Sequence, residues 1–522
     1  MKKMLILFVC IMLISGVFTR ISSATALTRK MGTHQTSEGD LDPLVDLAVT
    51  VDIKQIRSLE KKNLNPFPIS KIDPFSDPDF YVKVIINGEV FKSPVWRNQK
   101  YVYNPAWSAT ADVPDDIEWV NITIQLWDKQ LGVDKLCDIS DNSGNFKDIY
   151  DVDLLYNLKS GHWDGDDWLP GFWGGADPSG YGRLNGCDDN SYSQSDRDCE
   201  MLFDIYQNDF DHDHIPYWTE VNVFHTDPMV DNTGEDADHD GVPIEWEWKW
   251  GYYPAIDWEN ETLVPAWRYD PFVWEDHEHM DDDMDGIQNV EEYRMASWGA
   301  DPFRKDLFVE LDQMEAGPHG EPASLMPERS KELLRTAFDS HNVVFHLDDG
   351  SRPDSGSDLI PFDNLTTSDW FSENNELMTI YDNYFLHGDE DNWRRGVFHY
   401  GVLIYQCSMA NGNAFGSNRY QISSHGLDAK AKKSLLDRNV VFASAYMHEC
   451  GHTLSIENAG VDNQRSGAPW QLDYWKFRPY QSVMNYGYIY TMVDYSDGSR
   501  GKNDFNDWTT MDMTAFQNEF WP

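Results

Sequence analysis

Residues 445–456 read AYMHECGHTLSI, and they place His448 and His452 four positions apart with Glu449 directly after the first histidine. On an α-helix, positions i and i+4 lie on one face a turn apart, so the two imidazoles can meet a single metal ion. Glu449, one step round the helix, then reaches a water held by that ion. The H-E-x-x-H spacing marks 448–452 as a candidate metal-binding helix carrying its own acid–base residue.

The surrounding sequence gives this helix an α/β setting. KDLFVELDQM (305–314) reads as a strand, 327–340 as an amphipathic helix with Leu333, Leu334, Ala337 and Phe338 on one face, and NVVFHLDD (342–349) as the next strand. FHYGVLIYQ (398–406) and RYQISS (419–424) supply two more strands before a helix over 439–456. A β-α-β start, a mixed sheet and a late helix predict an α/β (α+β) domain over 304–522. Cys450 falls on another face than the histidines and reads as core or disulfide rather than ligand.

Downstream, QSVMNYGY (481–488) contains Ser-x-Met-x-Tyr. Together with H-E-x-x-H it resembles the metzincin zinc metallopeptidases, in which such a Met-turn lies under the metal. The resemblance implies zinc held by His448 and His452, Glu449 as general base, Met484 as the Met-turn methionine, and Tyr486 as a metal-binding or oxyanion-stabilising tyrosine. Metzincins continue H-E-x-x-H-x-x-G-x-x-H, whereas here Ser455 stands at the glycine and Asn458 at the third ligand, and no histidine follows His452. A catalytic zinc site takes three protein ligands and keeps a fourth position open. Asp462, just beyond Gly460, is the first choice for the third, with Asp494, Glu457 and Asn458 as the other candidates. The implied activity is hydrolysis of peptide bonds by a zinc-activated water, with Glu449 moving the proton. RYQISS is expected to act as an edge strand that pairs with an extended peptide or protein substrate.

Between 209 and 303 the chain repeats itself. DFDHDHIPYWTE (209–220), DADHDGVPIEWE (236–247) and DDDMDGIQNVEE (281–292) share one phase. The acids are Asp209, Asp211, Asp213 and Glu220; Asp236, Asp238, Asp240 and Glu247; Asp281, Asp283, Asp285 and Glu292. Side-chain oxygens at positions 1, 3 and 5, a carbonyl at 7 and a bidentate Glu at 12 form the ligand set of an EF-hand-like Ca2+ loop. Gly241 and Gly286 hold position 6, where the chain turns, but His214 stands there in the first loop, which predicts a weaker or empty site. With no long helix ahead of each loop, the repeats resemble the structural calcium clips of dockerin and thrombospondin-repeat modules.

Over 44–208, short strands at 44–53, 80–86, 121–127 and 199–206 alternate apolar and polar residues between Pro, Gly and Asp. That pattern predicts an all-β antiparallel sandwich. SDPDFYVKV (76–84), YNPAW (103–107) and ITIQLWD (122–128) resemble a C2-like domain, which implies calcium ligands Asp73, Asp77, Asp128 and Asp134 in two neighbouring loops. Gln130 stands where a second acid is usual in the later loop. The order of sandwich, calcium loops and zinc domain is similar to that of a set of secreted prokaryotic, archaeal-type proteins.

Residues 1–26 combine Lys2 and Lys3, an apolar run and Ala24-x-Ala26, the pattern of a secretory signal peptide, with a disordered lead-in over 27–43. Secretion to the cell surface or medium suits the cysteines: Cys10 leaves with the signal, Cys187 and Cys199 are the expected disulfide, and at least one free thiol remains among Cys137, Cys407 and Cys450. Asp+Glu number 89 against 41 Lys+Arg, a net charge of −48 over 522 residues. Such a surface excludes nucleic acid as a partner, and the lack of basic residues on the sandwich argues against membrane binding. The leading expectation is a secreted, calcium-stabilised zinc endopeptidase; the competing one is a non-catalytic calcium-dependent surface or adhesion protein with a degenerate protease domain.

Overall fold

The computed structural model describes residues 46–59, 72, 76–140, 143–144, 147–148, 150–166, 182–186, 197–257, 262–339, 341, 343–352, 354–368, 375–456 and 467–515. The expected signal peptide (1–26) and lead-in (27–43) lie outside these residues. The chain divides into two compact units, 1–237 with 243–271, and 238–242 with 272–522. Residues 209–303, expected as a module of their own, are shared between the two.

The first unit is built on two larger antiparallel sheets, beside the two-stranded pairs Ser143–Gly144 with Lys147–Asp148 and Tyr252–Asp257 with Thr262–Trp267. Its main strands are β1 (Leu47–Ser58), β2 (Phe80–Ile86), β3 (Glu89–Lys92), β4 (Tyr101–Val113), β5 (Trp119–Asp128), β6 (Val152–Asn157), β7 (Trp163–Gly165), β8 (Gly182–Asn185) and β9 (Cys199–Gln207). One sheet runs β8-β9-β1-β4 and the other β7-β6-β5-β2-β3. Alternate residues of both, such as Val49, Val51 and Ile53 from β1 and Phe80, Val82 and Val84 from β2, fill one buried core, as a sandwich requires. The 13-residue β4 was not apparent in the sequence because Pro105 interrupts it. It survives as the last strand of its sheet, and its register slips between the pairs Ile53–Trp107 and Gln55–Tyr103. An edge position with a bulge is where a residue lacking an N–H is tolerated. Helix α1 (Ile244–Gly251) belongs to the same unit.

The second unit is built on β10 (Asp306–Met314), β11 (Val344–Asp348), β12 (Phe398–Ile404), β13 (Gly412–Ala414) and β14 (Arg419–Ser423) in the order β11-β10-β12-β14-β13. The β10–β11, β10–β12 and β12–β14 pairings are parallel, and β13 joins β14 antiparallel. β10 is buried almost throughout, its acids Asp306, Glu310 and Asp312 included, because both faces are covered. Leu307, Val309 and Leu311 pack with α2 (Glu328–Asp339) and α4 (Arg438–Thr453), whereas Phe308 packs with Tyr381, Phe385 and Phe398 on the opposite side. Helix α3 (Ser424–Ser434) follows β14 directly, and α5 (Asp507–Thr510) is a single turn near the end. RYQISS, expected as an edge strand, is interior as β14. The three residues of β13, too short to show a period, take the edge instead. Among the described residues no helix is long and apolar enough to cross a membrane.

Helix α4 approaches the sheet closely at one point. A Cβ on Gly401 of β12 would collide with the hydroxyl oxygen of Tyr446. Gly401→Ala is therefore expected to destabilise the chain by about 1–3 kcal/mol through overpacking, read by chemical denaturation. Combining it with Tyr446→Phe is expected to restore part of the loss; an additive double variant would show that the contact is not the cause.

Candidate metal centre

Helix α4 starts at Asp437, whose carboxylate accepts the Asn439 N–H at 2.9 Å, the usual N-cap bond. From Val441 to Gly451 every residue is buried, so the helix is a core element whose sequence has no polar face to spare. His448 and Glu449 are buried and His452 is half-buried. The two imidazole centroids are 5.0 Å apart with ring planes at 87°, and one ligand atom from each of His448, Glu449 and His452 lies within 4.8 Å of the others.

A backbone contact orients the first ring. His448 Nδ1 lies 2.8 Å from the carbonyl oxygen of Val483. A carbonyl only accepts, so Nδ1 carries the proton and Nε2 keeps its lone pair for a ligand role. Met484, next in sequence, is buried against the helix where Gly451 leaves room: a Cβ there would meet Met484 Sδ at 2.6 Å. Tyr495 donates its hydroxyl to Met447 O at 2.7 Å, and Asn485 Nδ2 donates to Tyr480 O at 2.8 Å, which braces the turn from both arms. Tyr486 is partly exposed, its ring 5.6 Å from that of His448. The edge strand β13 passes over the acid: a Cβ on Gly412 would collide with Glu449 Oε1. Neither β13 nor Gly412 was anticipated, because nothing within the loop 407–418 announces a strand.

Two imidazole nitrogens on one helix face, with a carboxylate beside them, fit a zinc ion in donor type and reach. Asp462, Glu457 and Asn458 lie outside the described residues. Asp494 faces His341, with Oδ1 3.9 Å from Nε2, while its backbone oxygen accepts the Val483 N–H at 2.9 Å. His399 is a structural histidine. It is buried, bonds Thr453 Oγ1 at 2.8 Å, and is held neutral by burial, which pushes its pKa down to about 3. Burial likewise pushes the Cys450 thiol up to about 12, a core cysteine rather than a ligand.

The acidic loops bring their acids together as spaced. In the first unit, Asp209, Asp211 and Asp213 offer oxygens within 4.8 Å of one another. Both Asp211 oxygens and Asp213 Oδ2 are buried with no hydrogen-bond partner among the described residues. His214 adopts φ 72° and donates its N–H to Asp209 Oδ2 at 2.7 Å, matching the bond from Gly286 to Asp281 Oδ2 at 3.0 Å in the third loop. The absent glycine thus leaves the turn unchanged. Burial, with Asp211 and Asp209 adding repulsion, pushes Asp213 up to about 7; burial and Asp213 push Glu220 up to about 8. A divalent cation relieves such crowding.

In the second unit, Asp281, Asp283 and Asp285 converge in the same way, and both oxygens of the buried Glu292 have no hydrogen-bond partner among the described residues. Asp285 spends one oxygen on the Ile287 N–H and the other on the N–H of Asp306, the first residue of β10, both at 2.7 Å. The division between units runs through the middle loop: Asp236 and Glu247 fall in the first, Asp238–Val242 in the second. Within the second unit, Asp240 Oδ2 lies 3.3 Å from Nε2 of the fully buried His277, a residue the repeat pattern did not single out.

The sandwich acids behave differently. Asp128 is buried and accepts the Asp79 N–H at 2.9 Å and the Gln130 side-chain amide. Asp134 is held by Lys129 Nζ at 3.0 Å and the Tyr81 hydroxyl at 2.9 Å, and the Lys129 bond lowers its pKa. Protein donors thus take up the oxygens that the expected calcium would use. Asp77 is half-buried, and Asp73 lies outside the described residues. Of the expected disulfide, Cys199 is buried at the start of β9 and Cys187 is outside the described residues; Cys137, Cys407 and Cys450 are buried free thiols.

No protein-family model matches the sequence, and no curated protein does. Among solved structures, the chain is similar to human GIVD cytosolic phospholipase A2 in complex with methyl gamma-linolenyl fluorophosphonate, at 14% identity and TM-score 0.17 over 31% of this chain and 17% of that one. It is similar to a C2 domain at 11% identity and TM-score 0.17, over 30% of this chain and 97% of that one. It is also similar to the tandem C2 domains of extended synaptotagmin 2, at 11% identity and TM-score 0.18 over 33% of this chain and 45% of that one. The chain thus spans under a fifth of the phospholipase. Likeness at this level carries no conclusion about activity or ligands, and the two-sheet sandwich rests on its own register and core.

Proposed function

We propose that this chain is a secreted, calcium-stabilised zinc endopeptidase, exported by its first 26 residues. The observation that carries the reading is the convergence of His448, Glu449 and His452 on one buried helix, with His448 oriented by Val483 O. A zinc ion bound there would polarise a peptide carbonyl and bring the pKa of a water toward ~7. Glu449 takes the proton of the attacking water and passes it to the leaving amine, so that one carboxylate serves both halves of the hydrolysis. Tyr486, beside the His448 ring, donates a hydrogen bond to the carbonyl oxygen as negative charge develops on it. The outer side of β13 is the place for an extended peptide: it is the last strand of its sheet and crosses Glu449 at Gly412. The first and third acidic loops hold structural calcium through carboxylates such as Asp211 and Glu292, whose oxygens have no hydrogen-bond partner among the described residues.

Two measurements test this. The calcium-loaded chain is expected to retain one zinc and to cleave an unstructured protein substrate; Glu449→Gln keeps the zinc and loses ~10²–10⁴-fold in rate. A chain that takes up no zinc at any pH, or a fully active Glu449→Gln, sinks the enzyme. Removal of calcium with a calcium-selective chelator is expected to lower the thermal midpoint, and calcium at ~100 times its Kd to restore about 2.7 kcal/mol per site. Asp213→Ala and Asp285→Ala should each reduce that response; an unchanged response in both would refute the calcium loops.

A further inference from the structure

The turn that orients His448 is itself suspended from one buried carboxylate far along the chain. Asp507, the first residue of α5, is fully buried. Its Oδ1 accepts the Tyr480 hydroxyl at 2.7 Å. Its Oδ2 accepts the Ser482 hydroxyl at 2.6 Å and the Ser496 N–H at 3.0 Å, and its own N–H returns to Ser496 O at 2.8 Å. One side chain thus ties together the two arms, 480–482 and 494–496, that enclose Val483.

The chemistry of each link sets the next. An ionised carboxylate is acceptor-only, so Ser482 must donate its hydroxyl proton to it. The Ser482 oxygen is then left to accept, and it takes the Met484 N–H at 3.1 Å. With Ser482 and Met484 held and the Val483 N–H bonded to Asp494 O at 2.9 Å, the Val483 carbonyl is fixed where it receives His448 Nδ1–H at 2.8 Å. Partners that fix the tautomer and ring angle of a metal-binding histidine are worth roughly 10–100-fold in metal affinity.

We propose that Asp507 is a positioning residue for the metal centre: acting through Ser482 and the Val483 carbonyl, it sets the orientation of His448 toward the ion. The inference rests on the metal-centre reading above. It separates Asp507 from an ordinary core contact, because its Oδ2 bonds, to Ser482 and to the 494–496 arm at Ser496, converge on Val483, whose carbonyl receives His448. Its Oδ1 instead bonds the Tyr480 hydroxyl.

The test is zinc affinity of the full, calcium-loaded chain, measured by competition with a chromophoric chelator, alongside the visible spectrum of the cobalt-substituted protein. Ser482→Ala and Asp507→Asn are each expected to weaken zinc by ~10-fold or more and to alter the cobalt ligand-field bands. Tyr480→Phe, which removes a bond of similar length from the same carboxylate, should leave both within about threefold of the parent. Ser482→Ala keeps the Asp507 carboxylate with its Tyr480 and Ser496 donors, so the inference does not depend on Asp507→Asn folding. Unchanged zinc affinity in Ser482→Ala, or an equal loss in Tyr480→Phe, overturns it while leaving the zinc reading intact. A parent chain that binds no zinc overturns both.

Discussion

A pair of histidines one helical turn apart serves a cation only if their rings are held in the orientation the ion needs. In this chain that constraint is met by the bond from His448 Nδ1 to Val483 O. It decides the tautomer, leaves Nε2 as the ring nitrogen suited to a ligand role, and brings the turn around Met484 against a helix that is buried from Val441 to Gly451. The packing of the second unit follows from the same requirement. Helix α4 is sandwiched between the sheet and the 480–496 turn, with Gly401 giving way to Tyr446 on one side and Gly451 to Met484 on the other. Both close approaches would be lost with any larger side chain.

The second organising force is uncompensated negative charge. With a net −48, the fold cannot neutralise its acids internally, and it disposes of them in two ways. In the sandwich, Asp128 and Asp134 are satisfied by Gln130, Lys129, Tyr81 and backbone N–H groups. In the first and third loops, Asp213 and Glu292 are buried with oxygens that no described donor reaches. Burying such groups is expensive unless a cation accompanies them. The third loop also connects its acid cluster to the sheet beneath the H-E-x-x-H helix, because Asp285 accepts the N–H of Asp306 at the start of β10. A cation bound in that loop would therefore be coupled to the start of the interior strand β10.

The H-E-x-x-H helix and the three acidic loops were legible in the sequence because their geometry is local: i and i+4 on a helix, or positions 1 to 12 of a loop, are set by backbone dihedrals over a few residues. The strands at 80–86 and 306–314 were legible for a similar reason, their period or apolar run being long enough to stand out. His214 shows the limit of residue identity as a guide. A left-handed turn that favours glycine is reached by histidine here, and the loop closes with the same hydrogen bond.

What required the tertiary structure is everything that joins distant parts of the chain. The edge of the sheet fell to Gly412–Ala414 rather than to 419–424, because strand order is set by pairing partners and not by propensity. Gly412 against Glu449, His277 beside Asp240, and Asp507 behind Ser482 carry no signal in their own neighbourhoods, since each acts on a residue brought near only by folding. The sequence by itself determined which side chains could bind metal, since ligand type and spacing are written in consecutive residues. Only the tertiary structure decided which backbone carbonyl orients them and which buried carboxylate holds that carbonyl in place, because those are contacts across space that no local pattern encodes.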